Sequence, residues 1–373
     1  MNHASNIPTE IPTAIGGQES RFARAFSLIR DAVTRRAFPG AALAVTHRGA
    51  LVLAQGFGHF TYDPDSPPVE IDTIFDLASV TKVVATTAMA MLLYERGLLH
   101  LDSPIADTLP DFVRLAPQSQ RRERSTVTLR MLLAHSSGLP AYVRLFETAR
   151  NRDELVRAAC ATPLVAAPGA VAEYSDIGFI LVGEMLERLA ATPLDDFVQR
   201  EVFAPLGMSR SCFNPVPHVR RSIPPTEDDR AFRHRVIQGE VNDENAWVMG
   251  GVSGHAGVFA CATDVARFAE CMLRKGSPIF QRHTVEFFTR PETTPANTSR
   301  ALGWDTPSQP SSSGKQFSPG SFGHLGYTGT SLWIDPGQQL SVTLLSNRTW
   351  PNRSSQAIKQ VRPLVHDAIV EAL

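Results

Sequence analysis

Two strand pairs at opposite ends of the chain constrain its fold more than any other feature. "GAALAVTHRGALVLAQGFGHF", from Gly40, reads as two strands about a turn at Arg48-Gly49. "GTSLWIDPGQQLSVTLLSNRT", from Gly329, reads as a second hairpin turning at Asp335-Pro336-Gly337. Each lies beside a helix. Residues 20–36 carry Phe22, Phe26, Ile29 and Val33 at helical spacing, and a last helix is expected over about 355–372. Together they predict one antiparallel sheet built from both termini and flanked by helices.

The middle is helix-rich. A short helix in "TVTLRMLLAHSSGLP" is expected to stop at Gly138 and Pro140, with further helices within 152–161 and 176–204. Asn214 to Glu240, rich in Pro, Arg and Asp, reads as a long surface connection. "GHAGVFACATDVARFAECMLRKG" gives a turn, a short strand and a helix with Thr263 as its expected cap. The expected architecture is α/β (α+β) in a single unit over 1–373. Residues 14–75 and 245–373 would form an α/β lobe, and 76–244 a mainly helical one. With 373 residues, 43% of them hydrophobic, the chain can build a core of that size.

A net charge of -1 gives no reason to expect nucleic acid or an anionic membrane as partner. The one basic run, Arg121, Arg122 and Arg124, reads as a solvated turn. No segment approaches the ~18 apolar residues of a membrane span. The first twenty residues lack the pattern of a secretory signal, which points to the cytoplasm, or to an exported protein if the true start lies upstream. Cys160, Cys212, Cys261 and Cys271 are too far apart for a zinc or redox motif and read as buried free thiols. Neither a metal nor another cofactor is expected.

Only four of the 36 basic side chains are lysines, and one of them, Lys82, stands inside the apolar stretch "FDLASVTKVVATTAMAMLLYERGLL". Ser79 precedes it by three residues, a spacing that on a helix puts the two side chains about 5–6 Å apart at their Cβ atoms. A helix starting near Ser79 would also set its hydroxyl at the positive end of the dipole, beside free amides. A serine needs a base to act as nucleophile, and a lysine discharged by burial can serve. Arginine cannot, because it does not deprotonate in proteins. Ser-x-x-Lys alone is a weak signal: Ser312 and Lys315 match it too, in a Ser/Gly/Pro loop with no helix to align them.

Two later stretches strengthen the first. "GAVAEYSDIGFILVGEML" places Tyr174 and Asp176 about a serine at the start of an apolar helix, and "FGHLGYTGTSLW" places His324, Gly326 and Gly329 before a strand. In this order, Ser-x-x-Lys, Tyr-Ser-Asp and His-x-Gly resemble the serine β-lactamase and penicillin-binding-protein family. The likeness is to its class C-like branch, which includes D-alanyl-D-alanine carboxypeptidases and carboxylesterases. It runs over residues 20 to 370 and includes "TLRMLLAHSSGLP" and "GGVSGHAGVFACATDVARF" between the motifs.

The resemblance implies a β-lactamase/transpeptidase-like fold with the site between its lobes. Ser79 would be acylated, Lys82 would take its proton, and Tyr174 would share the base role, its phenol acidified by Lys82. The amides of Ser79 and Tyr327 would form the oxyanion hole. Asp176, His324, Leu325 and Gly326 would contact substrate, Gly326 leaving room along the strand edge. Where β-lactamases carry Asn, this chain has Asp176; where they carry Lys-Thr-Gly or Lys-Ser-Gly, it has His324-Leu325-Gly326. A permanent cation and a hydroxyl that would grip a substrate carboxylate are thereby lost, and His324 could supply charge only when protonated.

Asp243, Glu244, Asn245 and His255 crowd a Gly-rich loop that could line the cleft or serve only as capping groups, and His135 is expected to brace its turn. The substrate expected is a small molecule or peptide-like compound with an amide or ester bond. The leading activity is serine hydrolysis of D-alanyl-peptide or β-lactam amides; the alternatives are a carboxylesterase or acyltransferase and, last, a non-catalytic binding protein.

Overall fold

The computed structural model describes residues 11–373; part of the segment read above for a signal, residues 1–10, lies outside the described residues. After helix α1 (Ala23–Thr34) the chain forms strands β1 (Gly40–His47), β2 (Ala50–Gly58) and β3 (Phe75–Asp76). Helices α2 (Ala88–Glu95), α3 (Leu129–Leu133), α4 (Arg152–Ala161) and α5 (Asp176–Ala190) follow, then short strands β4 (Cys212–Phe213), β5 (Glu227–Asp229), β6 (Arg235–Ile237) and β7 (Val258–Ala260). Helix α6 (Ala262–Leu273), strands β8 (Phe322–Leu325), β9 (Ser331–Asp335) and β10 (Leu340–Ser346), and helix α7 (Ile358–Glu371) complete the chain.

Both expected strand pairs join one antiparallel sheet of order β2-β1-β10-β9-β8. Strand β1 sits at the seam, pairing Leu43 with Leu344 of β10 and Ala44 with Ala54 of β2. Arg48 and Gly49, both at positive φ (51° and 83°), make the two-residue turn whose twist matches a hairpin. Strand alternation separates two cores. Ala42 and Ala44 face a large cluster with α6 and the helical middle, while Ala41, Leu43 and Val45 face Phe26 and Ile29 of α1 and Val365 and Ile369 of α7. A strand covered on both faces reads as an unbroken apolar run, as this one does.

Several local expectations are corrected. Helix α3 stops at Leu133, well before Gly138, because His135 takes a left-handed conformation (φ 57°). Thr263 does not cap α6: Cys261 holds the cap position without a side-chain bond. The 214–240 connection folds back as the β5–β6 hairpin over buried Ile223 and Ile237. Arg124 is not a solvated turn residue but is wholly buried, donating to the carbonyls of Phe112, Cys160 and Thr162 with its guanidinium 3.8 Å from the Phe112 ring centre. Of the four free thiols three are buried, and Cys212 is partly exposed. No helix among the described residues is long and apolar enough to cross a membrane.

Candidate active site

Ser79 lies where three pieces of backbone are tied together. Asp76, the last residue of β3, is buried and accepts the N–H of Ala78 (2.8 Å) and of Asn242 (2.6 Å), bonds that oppose the effect of burial in pushing its carboxyl up to about 6. That clamp holds Ala78 at φ 47°, a left-handed conformation costing roughly 1–2 kcal/mol outside glycine. From the β8–β9 turn, Thr328 donates to the carbonyl of Asp76 and Thr330 to that of Leu77, each at 2.8 Å. Gly326 is required for this approach: a Cβ there would fall 1.9 Å from Thr330 Oγ1 and 2.4 Å from the Leu77 carbonyl. The missing side chain thus seats the turn against the serine segment, and Gly326 also lines the cleft.

The turn ahead of Ser79 runs on through a single 3-10 turn, Ala78–Val80, into a π-helical stretch, Lys82–Thr87, before α2 begins. π-helical turns are rare and occur often at functional sites. Lys82 is fully buried, and its Nζ contacts Ser79 Oγ at 2.9 Å, Asp176 Oδ1 at 2.6 Å and the carbonyl of His255 at 3.0 Å. Burial lowers its pKa and Asp176 opposes that fall.

Tyr174 reaches the same oxygen from across the cleft, donating its hydroxyl to Ser79 Oγ at 2.6 Å. The serine between Tyr174 and Asp176 is an N-cap: Ser175 Oγ accepts the N–H of Gly178 and donates to the carbonyl of Pro140. His135 braces this segment as expected, its Nδ1 accepting the N–H of Ser175 and its carbonyl that of Glu173, so it stays neutral. The expected acidification of Tyr174 is overturned. Burial, followed by the nearby Asp176, drives its phenol well above the ordinary value.

His324 is corrected too. It is buried, its Nδ1 meets the carbonyl of Leu325 at 2.8 Å, and burial together with Lys82 pushes its pKa down to about 3. It is a neutral wall beside Tyr174, with ring centres 5.9 Å apart, not a conditional cation. Strand β8 is an edge of the sheet, and among the described residues its outer side carries one isolated bridge, from Gly323 to Asp305. Among the described residues no backbone bond uses the N–H of Ser79 or Tyr327 as donor.

These groups line a cleft of about 580 Å³ that holds Ser79, Tyr174, Asp176, His324, Leu325, Gly326 and Tyr327, with Lys82 beneath its floor. The Gly-rich loop does reach it: Asp243 caps a short helix and meets His255 Nε2 at 2.7 Å, while Tyr142 contacts Glu244. Sequence reading missed the arginines of the cleft, Arg300, Arg348, Arg353 and Arg362. They stand in loops and on α7, in a chain rich in arginine, and nothing local marks them. Among the described residues no group of His, Cys, Asp and Glu is placed to hold a metal.

Comparison with known proteins shows the family. The chain is 31% identical over 344 residues to an N-acetylmuramyl-L-alanine amidase of Bacillus subtilis, covering 83% of this chain and 77% of the relative. It is 32% identical over 303 residues to a protein of Escherichia coli K12 provisionally named a D-alanyl-D-alanine carboxypeptidase, covering 74% and 69%. The solved structure of EstCE1, described as a hydrolase with promiscuous acyltransferase activity, shares the fold with a TM-score of 0.75 at 22% identity, over 94% of this chain and 99% of that one. The beta-lactamase family model matches residues 25–366, and the chain belongs to that family.

Proposed function

We propose that the chain is a serine hydrolase that forms an acyl-enzyme at Ser79 and cleaves amide bonds of the D-alanyl-peptide or β-lactam class. The observation that carries this reading is the double contact on Ser79 Oγ, 2.9 Å from Lys82 Nζ and 2.6 Å from Tyr174 Oη, at the floor of a cleft. As an amine, Lys82 directs its two N–H bonds to Asp176 and the His255 carbonyl and its lone pair to Ser79. Ser79 attacks the carbonyl carbon and its proton passes to Lys82, whose charge Asp176 then balances. The amides of Ser79 and Tyr327 take the oxyanion, a contribution of about 3–4 kcal/mol per donor in other acyl-transfer enzymes. Tyr174, held protonated, gives its proton to the leaving nitrogen and is reprotonated at the expense of Lys82. Water attacks the ester and the same pair carries its proton, freeing Ser79.

A second reading, ester hydrolysis or acyl transfer to a small alcohol or amine, uses the same residues. It is favoured by the neutral His324 and the apolar Leu325, which offer a peptide carboxylate neither charge nor hydroxyl. Incubation of the protein and of Ser79→Ala with a fluorescent penicillin and a short-chain p-nitrophenyl ester, followed by turnover and intact mass, separates the readings. An adduct with penicillin supports amide chemistry, and ester turnover without labelling supports the second reading. No adduct and no turnover with either reagent sinks the hydrolase assignment, and full activity in Ser79→Ala removes the nucleophile assignment.

A further inference from the structure

We infer that the end of the cleft beyond Tyr327 is an anion subsite, built from Arg348 and Arg362, for a carboxylate or phosphate that the substrate carries away from its scissile bond. The inference rests on the reading of Ser79 as nucleophile, and adds what else the substrate must bear. Of the four cleft arginines, two are balanced: Arg300 by Asp305 at 3.3 Å, and Arg353 by Glu227 and Glu244 at 2.8 and 2.7 Å. The other two are not. Among the described residues no carboxylate stands within ion-pair distance of Arg348 or Arg362, although they are only 4% and 3% exposed.

Their hydrogen bonds leave capacity unused. Arg348 donates from Nε to the Tyr327 carbonyl at 2.7 Å and from Nη1 to that of Ser355 at 2.9 Å, with its guanidinium 4.4 Å from the Tyr327 ring centre. Arg362 reaches the carbonyls of Gly329 and Thr330 only at 3.3 Å, and its buried Nε has no partner. A buried charge without a counter-charge is costly, and arginine does not escape by losing its proton. Two such groups lining one end of a cleft, with exposed Lys359 and Gln356 at its mouth, form a fork suited to the paired oxygens of a carboxylate or phosphate. Arg362 is the unusual member: Arg353 pairs with two acids and Arg348 has its Nε on a carbonyl, whereas Arg362 has neither.

The test has an arm that needs no catalysis. Thermal unfolding of the wild-type protein is followed with rising glutarate or inorganic phosphate, with sodium chloride at matched ionic strength as control, and repeated on Arg362→Met and Arg362→Lys. The subsite predicts a rise in Tm for the wild type that is lost in Arg362→Met and partly kept in Arg362→Lys. The kinetic arm compares 4-nitrophenyl hydrogen glutarate with 4-nitrophenyl butyrate. The ratio of their kcat/KM values should fall ten- to hundredfold in Arg362→Met, the scale of a charge-assisted hydrogen bond. An anion response equal in wild type and Arg362→Met, or absent from the wild type, overturns the subsite. Anion stabilisation with no turnover of either ester and no penicillin adduct keeps the subsite and defeats the hydrolase reading instead.

Discussion

Replacing Asp176 by Asn probes the centre of the proposed mechanism, because it deletes the carboxylate in contact with Lys82 and keeps the side chain's shape. At 2.6 Å and an effective dielectric constant of about 20, the pair attracts by ~6 kcal/mol. Removing one member of a buried pair commonly costs about 3–5 kcal/mol, and here Lys82 is fully buried while Asp176 is 16% exposed. Each 1.36 kcal/mol lost from the ammonium form alone lowers proton affinity by one pH unit, so even a quarter of the Coulomb energy moves titration by about one. The acid limb of kcat/KM against pH should therefore shift down by one unit or more, since Lys82 sheds its proton more readily without Asp176. Stability should follow with a defined sign. The unfolded chain protonates its lysine below about pH 10 while the folded one resists, so stability falls as pH falls, and the substitution deepens that fall. The stability difference should be largest at acid pH, where Lys82 is protonated in both folded proteins, and should shrink as rising pH neutralises it. Kinetics from pH 4 to 9 and urea unfolding at pH 6 and 9 measure both effects. An acid limb within 0.3 pH unit of wild type (roughly 0.4 kcal/mol) would refute Lys82 as the titrating base.

Three further outcomes follow from the geometry. Gly326→Ala puts a methyl group against Thr330 and the Leu77 carbonyl; overpacking of this kind costs about 1–3 kcal/mol, to be read from urea unfolding. Turnover should fall with it as the β8–β9 turn moves off Ser79; unchanged stability and activity would disprove the contact. Ala78→Gly should stabilise by ~0.5–1 kcal/mol, the left-handed strain relieved less the added freedom of the unfolded chain. His366, on α7, is buried beside Phe317, and burial with Arg362 pushes its pKa down to about 3. The unfolded chain takes up that proton below about pH 6.5 and the folded chain does not, so stability is lost as pH falls from 6.5 toward 3. His366→Gln should recover roughly 2 kcal/mol of the loss between pH 7 and 5 relative to wild type, and an unchanged slope of stability against pH would exclude a titrating His366.

The sheet was legible because strand alternation and turn chemistry are local. Gly40–His47 must face two cores to be apolar throughout, and Arg48-Gly49 can accept the positive φ that a tight hairpin demands. The shortfalls share another cause. Thr263 is a good cap by type, yet the chain's path into α6 puts Cys261 at that position. Arg124 resembles its exposed neighbours in sequence, and only the ends of helices brought together from Phe112, Cys160 and Thr162 draw it inside.

For the site the same division holds. A lysine three residues after a serine in an apolar helix is a fact of chemistry readable from the chain, since spacing decides that the two can meet. Protonation is not readable. The states of Tyr174 and His324 depend on burial and on Asp176, Lys82 and Arg300 drawn from distant segments. The arginines at the cleft's far end are likewise invisible in sequence, because whether a cation is balanced depends on which carboxylates folding brings within a few ångströms of it. The sequence by itself determined the strands, the apolar helix and the meeting of Ser79 with Lys82. Tertiary structure alone decided which groups there carry charge, because desolvation and Coulomb energy belong to neighbours in space.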